Sequence, residues 1–352
     1  MESSTTVFYL TRTAVEYPFK DDFYRTVKVL TPLCSCIVLF GFVSNIMNIL
    51  VFLKSGARDN VTVLLLSLAV SDLLYLSLIA PSVGTTLIHS YFKSYVESWP
   101  FDYRVLLYLP YWPAFTAYDL SAFISVSMGV MRCACVAMPL KFKLVFSRSR
   151  TVKWVLFLVV LAVSLRLPVL TINRLGWRTD PLTNDTYAHV KSVKLDYMSK
   201  INDIVNRGVL IYLSYVTMVT CVLILTVKLY EASKIRRLCS TTGFSQTLDK
   251  QVADKPLVQG LSSKDLQVVK SVVLVCTIFI LSQLPFLLVS TTRLFKQEFN
   301  TGKRLAYLFA TLSQVSKVFS YLNASLNIFV YYNYNNKYRT VLRSLLCTKQ
   351  KQ

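Results

Sequence analysis

Seven apolar stretches separated by polar segments run along the chain: about Val29–Leu53, Val61–His89, Val105–Met138, Val152–Asn173, Gly208–Tyr230, Leu266–Thr292 and Leu305–Tyr332. Each reaches the roughly 20 residues that a helix needs to cross a hydrocarbon core about 30 Å thick. The pattern predicts an all-α membrane protein, a seven-transmembrane helix bundle over residues 29–332. A polar tail, residues 1–28, precedes it, and residues 333–352 follow as a short amphipathic helix and tail. The tail lacks the basic, apolar and small-residue regions of a signal peptide, so the first span is expected to act as an uncleaved anchor.

Composition agrees. Apolar residues make up 54% of the chain and charged residues 16%, with mean hydropathy +0.47. A soluble domain carries about 25% charged residues, so this chain lacks the charge to coat a water-facing surface, and an ordinary soluble enzyme is disfavoured. The net charge of +21 lies between apolar runs, which points to anionic membrane lipid and away from nucleic acid. Lys141 to Lys153 holds five positive charges and no negative one. By the positive-inside rule this favours the N-terminus outside and the C-terminus inside. None of the eight cysteines forms a CxxC pair, and His89 and His189, expected at the surface, are too scattered for a metal site.

Polar residues inside the spans ask for a partner or a purpose. Asp72 lies mid-way along the second span, Asn45 sits in the first, and Asn323 and Asn327 are four apart on one face of the seventh. Ser121 and Arg132 share a face of the third, almost three turns apart. A carboxylate, several amides and a hydroxyl at one depth fit two readings: helix–helix hydrogen-bond glue, or a water or cation site. Asp119 falls on a different face and is expected to pair with Arg166, Ser214 or Thr217, with ligand contact as the alternative.

In this order the motifs resemble those of the rhodopsin-like (class A) G-protein-coupled receptors over nearly the whole chain. They are Gly41 to Asn45, Leu68 to Asp72, Met131-Arg132-Cys133, Val136 to Leu140, Trp154 with Pro168, Phe279 followed by Ser282-Gln283-Leu284-Pro285, and Asn323 to Tyr331. The resemblance implies a multi-pass plasma-membrane receptor, not an enzyme. It would bind an extracellular ligand in its outer half and signal through a heterotrimeric G protein, and arrestin is a further implied partner. Asp72, Asn45, Ser121, Asn323 and Asn327 match the family's internal sodium-and-water pocket, so no cofactor beyond Na⁺ is implied. Arg132, Tyr331, Asn327 and Pro285 match its coupling and activation switch. Asn333 to Leu346 resembles its amphipathic helix along the inner leaflet, with Tyr338, Val341, Leu342 and Leu345 on the apolar face. Cys347 at its end is a palmitoylation site or a free thiol.

The chain also departs from that pattern. Met131 replaces the acid before the arginine, Gln283 the usual tryptophan, and Ile328 the usual proline, so a weaker kink is expected in the seventh span. The usual outer disulfide has no partners, and the second outer loop must be held otherwise or be mobile. Such divergence resembles invertebrate peptide or chemosensory receptors.

For the ligand site, Lys317, Tyr321, Trp112, Phe115, Asp119 and Gln283 are the candidates. Lys317 suits an anionic group. Tyr321 stands where opsins have their retinal lysine and Ala114 where amine receptors have their aspartate, so neither ligand is expected. The aromatics Tyr108, Tyr111, Trp112, Phe115 and Tyr118 read as an interfacial belt or as a pocket wall. The long second outer loop favours a peptide over a small anion, and its Asn184-Asp185-Thr186 is a glycosylation sequon. A non-signalling scavenger or scaffold of the same fold is the alternative, and a transporter, for which no internal repeat is found, a weaker one.

Overall fold

The computed structural model describes residues 18–56, 59–137, 147–171, 173–179, 186–192, 201–241 and 263–346. Asn184, Cys347 and the inner-loop residues 138–146 lie outside the described residues. The elements run α1 (Lys20–Ser55), α2 (Asn60–Tyr91), two short helices α3 (Lys93–Glu97) and α4 (Arg104–Tyr108), then α5 (Tyr111–Ala137) and α6 (Arg148–Leu170). An antiparallel hairpin of β1 (Asn173–Thr179) and β2 (Thr186–Ser192) follows. A π-helical turn, Asp203–Val209, leads into α7 (Leu210–Thr241), then come α8 (Ser263–Phe295), α9 (Ala306–Ser325), α10 (Asn327–Tyr334) and α11 (Asn336–Leu346).

Six of the described helical stretches are long and apolar enough to cross a membrane, and the seventh crossing is made by α9 and α10 in series. Their outward faces identify the solvent. On α6, Leu156, Phe157, Val160 and Leu167 are all exposed, as are Leu213, Val216 and Leu223 on α7. Continuous apolar surface of this kind is stable against lipid and not against water. The helices close a ring, with α1 against α2 and α9, α2 against α5, α5 against α7, and α7 and α9 against α8.

Local chemistry sets the ends. The Asp59 side chain caps α2, accepting from Thr62 N–H at 3.1 Å and Thr62 Oγ at 2.7 Å. Gly56 ends α1 with φ 70°, a left-handed conformation suited to glycine, and its N–H donates to Leu53 O. Gly41 serves close packing: a Cβ there would overlap Ser325 Oγ and lie 2.6 Å from Leu76 Cδ1. Only a glycine lets α1 approach α2 and α9 so closely.

Several boundaries differ from the sequence reading. Helix α1 begins at Lys20, nine residues before Val29, because helix continues past the apolar run into the polar tail. The third span, by contrast, starts at Arg104, within one residue of the expected Val105, and a turn at Leu109 and Pro110 divides it into α4 and α5. The fifth is helical from residue 201, earlier than Gly208.

The seventh span is interrupted at Leu326 although Ile328 stands in place of the expected proline. There Phe329 N–H donates to Leu326 O at 3.1 Å, a tighter three-residue bond. Next to the break, Ser325 Oγ donates to Tyr321 O at 2.6 Å, and Ser325 O is taken by Ser44 Oγ at 3.0 Å. The helix thus breaks without a proline, with side-chain bonds from Ser44 and Ser325 beside the break.

The amphipathic helix starts at Asn336, because Asn333 and Tyr334 complete α10. Its apolar face is packed on protein as well as turned toward lipid. Tyr338 and Leu342 are buried in a cluster with Val51, Phe52, Leu64 and Tyr331. Without an outer disulfide, the second outer loop is secured by the hairpin ladder from Asn173↔Ser192 to Thr179↔Thr186. Asp102 N–H donates to Ala188 O at 3.0 Å, which ties the hairpin to the first outer loop. His89 is half-buried and stacked on Tyr103 at 4.9 Å, and His189 is half-buried with its Nδ1 enclosed.

Candidate functional site: a polar centre and two outer hollows

Asp72 is the hub. It is buried at mid-span in α2, where its Oδ1 accepts from Ser121 Oγ at 2.5 Å and its Oδ2 from Asn327 Nδ2 at 3.0 Å. One carboxylate thus joins the second, third and seventh spans. The break at Leu326 sits immediately before Asn327, so the amide that meets Asp72 opens a new helix.

Two members of the expected cluster do not bond this carboxylate. Asn45 Nδ2 donates to Gly41 O at 2.9 Å and to Ala324 O at 2.7 Å, making a clasp between α1 and the end of α9. Its amide is spent on the backbone because the Gly41 contact brings α9 within reach. Asn323 is buried and joins no hydrogen bond among the described residues. Ser44 and Ser325 complete the clasp. Their place beside Asn45 and Asn323 in the sequence was the available signal for it.

Above this centre the ligand candidates divide between two places. Asp119, Phe115 and Gln283 line a narrow cavity of about 40 Å³ between α5, α6, α7 and α8, together with Arg166, Phe279 and Phe286. Asp119 meets the first of its expected partners. Arg166 Nε lies 2.5 Å from Asp119 Oδ2 and Arg166 NH2 3.0 Å from Oδ1, while NH1 donates to Asn202 Oδ1 at 3.0 Å. Asn206 extends the chain, donating to Asn202 Oδ1 and to Leu165 O, both at 3.0 Å. Phe115 lies beneath the guanidinium at 5.9 Å. The carboxylate is satisfied by the bundle itself yet still borders the cavity, so the pairing and ligand-contact readings of Asp119 are compatible.

Lys317 and Tyr321 border a different groove, between α1, α2 and α9, with Thr31, Cys34 and Gln314. Lys317 is half-buried and makes no ion pair among the described residues. Tyr321 is buried in an aromatic group with Tyr75 at 6.0 Å, and Tyr75 contacts Tyr118 at 5.0 Å. Trp112 borders neither place; it packs edge-on against Tyr111 at 5.1 Å. Six candidates for one pocket therefore become three, two and one, because helix rotation decides which face each residue shares.

A second arginine works at the outer rim. Arg293 pairs with Asp203 at 2.8 Å, donates to Asn300 Oδ1 at 3.1 Å, and lies over Phe309 at 5.5 Å. Arg166 and Arg293 together join the outer ends of five spans, the service that a disulfide performs in part. The π-helical turn lets Asn202 and Asn206 meet α6 while Asp203 meets α8. Its extra residue per turn leaves no mark in a hydropathy pattern.

At the inner end, Arg132 is half-buried on α5. Met131, standing where an acid was expected, is buried in the inner apolar cluster, so packing occupies the place of that ion pair. Tyr331 is buried with its ring 5.3 Å from Phe52 and 5.7 Å from Tyr338, and its hydroxyl has no hydrogen-bond partner among the described residues. Tyr338 Oη donates to Asn48 Oδ1 at 2.6 Å, and burial pushes its phenol up. Pro285 lies within α8, which continues through it.

Seven spans, six of them closing a ring and α6 packed against α5 and α2, with a carboxylate-centred polar knot between an outer cavity and an inner aromatic cluster, define a seven-transmembrane receptor architecture. The sequence model of the 7 transmembrane receptor (rhodopsin family) matches residues 44–331. The chain belongs to that family and is a multi-pass membrane protein of the plasma-membrane receptor type. Comparison with curated proteins finds no match.

Proposed function

We propose that the protein binds an extracellular peptide at its outer face and activates a heterotrimeric G protein at its inner face. The observation that carries this reading is the Asp72 knot. Its partners Ser121 and Asn327 come from α5 and α10, and those helices also carry Arg132 and Tyr331. A ligand that favours a different packing of the outer ends shifts the population through this joint, to the extent that its affinity differs between the two states. Tyr331, whose buried hydroxyl has no partner among the described residues, gains a hydrogen bond if the inner ends part. Basic residues Arg148, Arg150 and Lys153 at the start of α6 suit anionic lipid and an acidic partner surface.

An internal sodium ion belongs to the same proposal. The Asp72 carboxylate, the Ser121 hydroxyl and the uncommitted Asn323 amide are hard oxygen donors of the kind such a cation takes. Arrestin recruitment, glycosylation at Asn184 and palmitoylation at Cys347 remain expectations from the sequence.

The test is G-protein and arrestin recruitment in cells, wild type against Arg132→Ala, across a panel of neuropeptides and small acids with surface expression matched. An Arg132-dependent G-protein response supports the proposal. Ligand uptake or arrestin recruitment without a G-protein response, unchanged in Arg132→Ala, overturns it in favour of a scavenger of the same fold.

A further inference from the structure

The outer hairpin has two faces, and one of them is built for an anion. Strand alternation puts Gly176 and Arg178 on the same side of β1, opposite His189 and Tyr187 of β2. That side looks toward α4, to which the hairpin is fixed through Asp102 N–H on Ala188 O and Asn173 Nδ2 on Tyr108 O at 3.0 Å. Between them is a hollow of about 340 Å³, much roomier than the cavity beside Asp119 or the groove beside Lys317. Its lining includes Arg104, Arg178, Tyr108, Tyr187, His189 and Asp102.

The charge of this lining is unbalanced. Asp102 is its one acid among the described residues and is already engaged: Oδ1 accepts from the Arg104 backbone N–H at 2.9 Å and lies 3.5 Å from Arg104 Nε. Arg178 forms no ion pair among the described residues. His189 Nδ1 is buried and has no hydrogen-bond partner among the described residues, and the residue borders the hollow. Gly176 keeps the imidazole there. A Cβ at that position would stand 3.1 Å from His189 Cε1.

We propose that the hollow between α4 and the hairpin is an accessory subsite that takes a carboxylate of the extracellular peptide, from an acidic side chain or the free C-terminus. Arg178 is the principal contact, since a guanidinium presents its donors in the fork that a carboxylate matches. Arg104, paired with Asp102, adds further guanidinium donors, and Tyr108 and Tyr187 flank the peptide chain. The identity of the ligand rests on the receptor reading above, whereas capture of a carboxylate by this hollow does not.

The experiment uses the full chain in nanodiscs of neutral phosphatidylcholine. The probe is a fluorescently labelled acetyl-tetraglutamate amide, with acetyl-tetraglutamine amide as its uncharged counterpart, and binding is followed by anisotropy. Saturable binding of the glutamate probe alone is expected, weakened about tenfold or more by Arg178→Gln. Arg178 is exposed on its strand, so this change should leave the hairpin folded. Arg178→Lys should fall between the two, retaining the charge and losing the fork. Lys93→Gln, at an exposed outer cation, should bind as wild type does. Absence of saturable binding, equal affinity in wild type and Arg178→Gln, or equal weakening by Lys93→Gln overturns the subsite. Arg178-dependent binding with no G-protein response to any ligand would instead overturn the receptor reading and leave the subsite standing.

Discussion

The Arg166 guanidinium holds the Asp119 carboxylate with two parallel hydrogen bonds, 2.5 and 3.0 Å long, inside the outer half of the bundle. Arg166 is 3% exposed, so each charge depends on the other for compensation. Breaking a buried pair by removing one partner costs about 3–5 kcal/mol, whereas replacing both by apolar groups can be neutral. Asp119→Ala should therefore lower the melting temperature of the purified protein sharply, and Asp119→Leu with Arg166→Met should recover most of the loss. Equal melting temperatures for Asp119→Ala and wild type would show that the pair contributes no stability.

Asp72 offers a test by ion substitution. Thermal stability measured in sodium chloride and in choline chloride at equal ionic strength should differ in the wild type. Sodium at about ten times its dissociation constant adds about 1.4 kcal/mol. Asp72→Asn should abolish the difference, because the amide keeps the shape but not the charge that holds a cation. A sodium effect that survives in Asp72→Asn would place the ion elsewhere.

Tyr338 and Asn48 make a bond whose two ends can be removed separately or together. Tyr338→Phe leaves a buried amide oxygen without a donor and should destabilise by about 1–3 kcal/mol. Tyr338→Phe with Asn48→Leu should be milder than the single change, and a chemical denaturation series would measure both. Burial raises the Tyr338 phenol in the folded protein. Its contribution is therefore complete below the ordinary tyrosine value of about 10 and is lost only as the pH rises beyond it.

Gly41 tests the contact between α1 and α9. Gly41→Ala should destabilise by about 1–3 kcal/mol, the range for overpacking a tight site, since its Cβ would overlap Ser325 Oγ and crowd Leu76. The same change at Gly84, where no atom lies within 4 Å of an added Cβ, is the matched control and should be tolerated. Comparable losses at both positions, read by surface expression and melting temperature, would argue against close packing as the cause.

The sequence by itself determined the spans, the family and the buried carboxylate, because each is written in local chemistry. About 20 apolar residues have one stable solution in a bilayer, and a lone aspartate among them requires partners. It also pointed to Arg166 as a partner for Asp119. Tertiary structure alone decided which polar residues share a hollow. Asn45 turns to the backbone of Ala324, away from Asp72, because a glycine one turn earlier draws α9 close. Lys317 and Asp119 border separate hollows because helix rotation, invisible in a hydropathy trace, assigns them to different seams. The break at Leu326 and the π-helical turn depend on hydrogen bonds from other helices or on one extra residue in a turn. The hairpin that stands in for the missing disulfide forms by pairing two strands separated in the chain, and its cationic face exists only once they are in register.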